Sequence, residues 1–172
     1  MDWPTTDDSE PEEVVRLELL ERVMQVELTD TLREQLGQTY SPGVNASQSQ
    51  TYAGFGYFTL AAQVAASEVD AAREAMLATV RTLIADPLDE DVLLRARRPV
   101  LEAYDNALKS NAGWMTLVDR AQSEPEDIDR FIAAKSRFEA LTPQDIQATA
   151  ARYLKPEERL EIVVLPRERQ TS

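Results

Sequence analysis

The sequence has no cysteine and no histidine. The first absence removes any disulfide framework and any thiolate chemistry. The second removes Ser–His and Cys–His dyads and every imidazole metal ligand. Zinc sites draw chiefly on these two residue types, with carboxylates in a minority role, so zinc catalysis is not expected from this chain alone. Carboxylate sites for Mg²⁺ or Ca²⁺ stay open in principle, but no D-x-D-x-D-G loop is present. Basic residues are also scarce. Eighteen Lys and Arg stand against 31 Asp and Glu, a net charge of −13, which on average repels a polyanion and speaks against nucleic-acid binding. Solubility accounts for the acidity; attraction of basic peptides or cations is its functional alternative. No apolar run approaches the roughly 20 residues that span a bilayer. The opening MDWPTTDDSEPEE is acidic where an export signal is basic and then apolar.

What is present suits one domain with a real core: 172 residues, 43% of them hydrophobic. Residues 1–9 read as a strand end and an acidic loop, because a residue before proline, here Trp3, avoids helical backbone angles. Ser9 and Glu12 have the spacing of a capping box. A long helix is predicted from about residue 10 to 36. One apolar stripe runs through Leu17, Leu20, Met24, Leu28, Leu32 and Leu36, and a second through Val15, Leu19, Val23 and Val26. Two adjacent stripes describe a helix packed over by other elements rather than one lying on a surface. Gly37 supplies the residue that ends it.

From 39 to 64 the pattern turns to strands, read as a hairpin with its turn near Ser47–Gln50. Gly54 and Gly56 are expected on one face of the second strand, where another backbone or helix comes close. No third glycine and no following helix accompany them, so they are not a dinucleotide fingerprint. Helices follow at about 67–86, with Ser67 as cap, and at 89–109, with Pro99 expected to bend or interrupt it. Others are predicted at 113–122, 126–139 and 143–154, the last opened by Thr142-Pro143. Leu160–Leu165 reads as a closing strand stopped by Pro166, and 167–172 as a tail. The fold class is α+β: a small, mainly antiparallel sheet covered by helices on one face. Three or four strands are few for this much helix, which points to a part of a larger natural domain.

Paired carboxylates (Asp7-Asp8, Glu12-Glu13, Asp89-Glu90-Asp91, Glu124 with Asp129) fall at predicted helix starts, where the helix dipole favours negative charge. General acid–base work needs a partly buried carboxyl with a shifted pKa. Arg95, Arg97 and Arg98 are flanked by acids, as on a solvated helix face. Arg33 and Tyr40 differ. Dipole complementation explains a cation in a last helical turn, yet Arg33 and a tyrosine just past the turn can converge on one carbonyl or carboxylate.

The helix ending L-R-E-x-L-G-x-x-Y-S resembles the pitrilysin/insulinase-type zinc metallopeptidases, the inverzincins. The similarity continues in chain order through Trp3-Pro4, Gly54-Phe55-Gly56-Tyr57, Asn111 to Trp114, Leu141-Thr142-Pro143 and Leu160–Pro166. It implies residues 10–166 as part of the family's non-catalytic C-terminal domain, a truncated metallopeptidase-like (α/β roll) fold. In that family an N-terminal half carries H-x-x-E-H and its zinc, and the two halves enclose a chamber where a peptide is cut. The resemblance implies that Arg33 and Tyr40 bind the peptide substrate, that zinc sits in the N-terminal half, and that this half, or a partner subunit, is the partner. A periplasmic location is implied by bacterial relatives alone. The missing family strands leave a sheet edge that invites a homodimer. The alternative is a non-enzymatic assembly or scaffold subunit that retains the fold.

Overall fold

The computed structural model describes residues 1–36, 42–119 and 125–166, except for the side chains of Gln35 and Leu36. The element order is β1 (Asp2–Thr5), α1 (Pro11–Leu36), β2 (Gly43–Gln48), β3 (Gly56–Ala61), α2 (Val69–Ala85), α3 (Glu90–Ala107), α4 (Asn111–Val118), α5 (Asp127–Ala140) and α6 (Pro143–Tyr153). The three strands form one antiparallel sheet in the order β1-β3-β2, so the α+β expectation holds.

Both apolar stripes of α1 are used. Leu17, Leu19, Leu20, Val23, Met24, Leu28 and Leu32 are fully buried, and the helix meets α2, α3, α5, α6 and β2. Period-two alternation turns Trp3, Phe58 and Leu60 inward onto that helical layer, while Tyr57 on β3 faces outward. Trp3 is opposite Phe58 in the ladder. Its buried indole N–H is satisfied by the Lys155 carbonyl at 2.8 Å, tying β1 to the stretch after α6.

The outer edge of β2 is closed by α1. Gln25 donates to the Pro42 carbonyl (2.9 Å) and accepts from the Val44 amide (3.2 Å), and the Glu21 carboxylate accepts from the Ala46 amide (3.0 Å). Two amides that would template another strand are thereby occupied.

Several expectations change. Ser9 does not cap α1; its amide and hydroxyl both donate to Asp7, and Pro11 opens the helix behind the Glu10 carbonyl. The hairpin turn is longer than predicted, leaving β3 to start at Gly56. Gly54 therefore lies in the turn with φ +70°, while Gly56 alone occupies the strand. Asp7 also accepts from the Gly54 amide at 2.5 Å, which pins the turn to the acidic loop. Ser67 does not cap α2: a 3₁₀ turn at Ala66–Glu68 leads into it, with no side-chain cap. Pro99 does not interrupt α3, whose buried Leu93, Ala96 and Val100 keep both halves of the helix against the core. The break before Trp114 falls earlier, since Ser110 caps α4 through the Gly113 amide (3.0 Å). Thr142 and Asp145 form a reciprocal capping box behind Pro143.

The largest departure is at the C-terminal end. Leu160 forms a single antiparallel bridge with Asp2, and Glu161–Pro166 is not a strand. In that register Glu161 comes level with Met1.

Gly56 tests the packing. A Cβ there would lie 2.0 Å from the Thr6 carbonyl oxygen and 2.8 Å from that of Ser47, both backbone atoms. Gly56→Ala is expected to lower stability by about 1–3 kcal/mol, read as a reduced urea midpoint at unchanged slope. Gly54→Ala meets no atom within 4 Å and is expected to cost only the left-handed backbone penalty of about 1–2 kcal/mol.

Candidate functional site

Arg33 lies in the last turn of α1, where a cation complements the exposed carbonyls. Its side chain is 64% exposed, and its ion pair among the described residues is a loose one to Asp30 at 3.7 Å. Asp30 is shared with Arg95 of α3 at 3.5 Å. At such exposure these pairs hold orientation weakly, which leaves the guanidinium free to engage a ligand. Tyr40 lies outside the described residues. Among the described residues that follow, Pro42 is held by Gln25, about three turns back from the end of α1.

The other sequence candidates have structural partners. Asp7 holds Ser9 and Gly54, and these hydrogen bonds, the Ser9 hydroxyl foremost, keep its carboxyl below its ordinary pKa. Glu12 pairs with Arg137 at 3.0 Å. Glu13, buried, bridges Arg152 at 2.9 Å and Arg16 at 3.3 Å. Asp89 caps α3. The three arginines do not converge: Arg95 reaches Asp30 and Asp91, Arg97 donates to the Leu141 carbonyl, and Arg98 pairs with Glu102. Glu124 lies outside the described residues. Among the described residues no group of three acidic side chains is placed to hold a metal ion.

No residue pattern singles out Glu18. It lines a cleft of about 370 Å³ with Tyr104, Arg130, Phe131 and Arg137. Burial raises the Glu18 carboxyl above its ordinary pKa, against the opposing charge of Arg22. Burial, with the Glu18 charge adding to it, pushes the Tyr104 phenol up to about 12. Tyr104 packs on Phe131 with ring centroids 4.5 Å apart. In one dimension Glu18 looks like any solvated position between apolar stripes; only the closure of α3 and α5 over α1 desolvates it. Arg33 does not line this cleft. The arrangement around Arg33 offers a binding group, with no activated nucleophile beside it among the described residues.

Residues 1–100 match a family model described as the peptidase M16 inactive domain. The chain belongs to this family. The M16 inactive domain also has clear structural likenesses. A crystal structure of the inactive peptidase domain of a "putative zinc protease" from Bordetella parapertussis superposes with a TM-score of 0.74 at 20% identity, covering 98% of this chain and 92% of that one. A "putative zinc protease" from Bordetella pertussis Tohama I gives 0.72 at 20% identity, covering 96% and 92%. A chain of complex III2 from Candida albicans, with Inz-5 bound, gives 0.60 at 13% identity, covering 88% of this chain and 38% of that one. At such identities the likeness is one of fold. No curated protein matches at a significant level.

Glu18 in this M16 domain provides a pH test. Its folded pKa is raised above the ordinary 4.5, so the ionised form at neutral pH disfavours the native state. That penalty is relieved as pH falls through the folded pKa and is gone below the unfolded one. Glu18→Gln is therefore expected to be more stable than the parent at pH 7, with the gap closing by about pH 4. Urea midpoints at the two pH values measure it; a gap that widens on acidification would contradict the assignment.

Proposed function

We propose that this M16 inactive domain is the substrate-binding, chamber-forming C-terminal portion of a zinc-dependent endopeptidase. On this reading residues 10–166 form the domain proper and an N-terminal half, in the same protein or a partner subunit, carries the zinc. This chain's own donor set does not suit that ion: it has no Cys or His, and no metal-holding acidic group among the described residues. Its contribution is to hold peptide.

The observation that carries the reading is the state of Arg33. A charged, bidentate donor stands at the end of the most buried helix, mostly exposed and loosely paired. Rigid placement with a free donor is what recognition of a carbonyl or carboxylate requires. Tyr40, seven residues on, is assigned the second contact, its hydroxyl donating to the scissile carbonyl. A homodimer through a sheet edge would have to use the β1 side, since α1 occupies the β2 edge.

A second reading, a non-catalytic assembly subunit that keeps the fold, is favoured by the likeness to the complex III2 chain. Turnover by the full-length protein separates the two. If it is a peptidase, Arg33→Ala and Tyr40→Phe should each lower peptide turnover by about 10²–10³ in kcat, the usual loss for one oxyanion donor. Near-parental turnover in both variants would remove the assigned role. A full-length protein with no H-x-x-E-H and no peptidase activity would favour the assembly subunit.

A further inference from the structure

The cleft of about 370 Å³ is walled by the first half of α1, the end of β2 and helices α3, α4 and α5. Three of its side chains carry polar groups that the fold leaves unanswered. Glu18 is half-buried, and among the described residues no hydrogen bond or ion pair reaches its carboxylate. Its near cation, Arg22, is paired with Glu21 at 3.6 Å. A desolvated carboxylate without a partner is costly to keep. On the α5 side, Arg137 Nε donates to Glu12 at 3.0 Å, while its Nη1 is buried with no acceptor. Nε2 of Gln48 is also buried and makes no hydrogen bond. Buried polar groups are hydrogen-bonded in the great majority of cases. One open acceptor and two open donors on residues of a single cleft therefore describe its guest by complement.

A simple cation would satisfy Glu18 and leave both donors open. A simple anion would meet Glu18 as a like charge. A ligand with an ammonium and, a few bonds away, a carbonyl or carboxylate oxygen answers all three. The span agrees with this. Glu12, which holds Arg137, precedes Glu18 by about 9 Å along α1. Hydrogen bonds of about 3 Å at each end leave the length of a few covalent bonds between them. The remaining wall is apolar, with Val14, Val15 and Leu117 beside the Tyr104 and Phe131 rings, whose centroids are 4.5 Å apart. Arg130, also in the wall, is paired with Glu126 at 3.6 Å. A second cleft, between α1 and α3, shares Glu18 and Tyr104 but has Arg22 and Arg95 in place of Gln48, Arg137 and Phe131. It offers neither the open donors nor the paired rings.

We propose that the 370 Å³ cleft binds the α-amino head group of an apolar amino-acid residue. The ammonium sits on Glu18, the neighbouring carbonyl or carboxylate oxygen accepts from Arg137 Nη1 and Gln48 Nε2, and the side chain packs on Tyr104 and Phe131. A free amino acid and the N-terminal residue of a peptide share this chemistry. The site uses neither Arg33 nor Tyr40 and is independent of the peptidase reading. A perturbed carboxyl in an apolar cleft with a few convergent polar groups is the usual form of a small-ligand site.

Isothermal titration calorimetry on this chain at neutral pH measures binding of three probes. They are L-phenylalanine, a tripeptide amide beginning with phenylalanine, and N-acetyl-L-phenylalanine. Saturable binding of at least one uncapped probe is expected. The acetyl cap removes the positive charge and should weaken binding about tenfold or more, the worth of one charge-assisted hydrogen bond. Glu18→Gln, expected to be the more stable protein at this pH, should weaken the uncapped probes by the same factor and leave the capped one unchanged. Gln48→Met, which removes one neutral donor, should weaken them about threefold to tenfold. Binding of phenylalanine alone assigns the site to a free amino acid, and binding of the tripeptide amide assigns it to peptide N-termini. No saturation by either uncapped probe at millimolar concentration would overturn the site. So would equal binding of the capped probe, or unchanged affinity in Glu18→Gln.

Discussion

The structure depends on the desolvation of α1 from both sides. A helix with one apolar stripe can rest on a sheet and leave its other face to water. Here two stripes share one 26-residue helix, and Leu17, Leu19, Leu20, Val23, Met24, Leu28 and Leu32 lose all contact with solvent. Burying a large aliphatic side chain contributes about 1.5–3 kcal/mol, so no arrangement that exposes either stripe competes. The other elements are arranged to satisfy this demand. The sheet contributes Trp3, Phe58 and Leu60 from below, and α2, α3, α5 and α6 close the remaining sides.

That burial also explains how a short sheet is kept in register. β2 is held by its ladder to β3 and by two polar side chains of α1, Glu21 and Gln25, which reach its outward amides. A rigid helix thus sets the height of the strand, and the strand sets where the chain leaving α1 must return. Arg33 rides on the last turn of the same helix. Its position is defined by the core while its guanidinium stays in water, a combination suited to presenting charge without paying for its desolvation.

Much of this was legible in the residues. The stripes located α1 to within a residue, because burial on two sides writes a redundant pattern. Thr142-Pro143 located α6, because a cap and a first-turn proline are local chemistry. Legibility failed where the outcome depended on a partner distant in sequence. The Ser9–Glu12 spacing suggested a capping box, yet Asp7 captured Ser9. Gly54 looked like a strand residue until the turn, pinned by Asp7, claimed it. Leu160–Leu165 has every local mark of a strand, but a strand also needs a paired neighbour, and among the described residues Leu160 has one in its bridge to Asp2 while Glu161–Leu165 do not pair. At the candidate site Arg33 was visible as a helix-end cation. Glu18 was not, since its shifted carboxyl comes from α3 and α5 closing over it.

The sequence by itself determined the fold class, the length and two-sided burial of α1, and the exclusion of zinc ligation by Cys or His. Each of these follows from residue type and short-range spacing. The tertiary structure decided how the β2 edge of the sheet is closed, that the Glu18 carboxyl is pushed toward protonation, and where the β2–β3 turn is pinned. Those outcomes depend on hydrogen-bond partners and desolvation supplied from across the chain, and no local pattern encodes them.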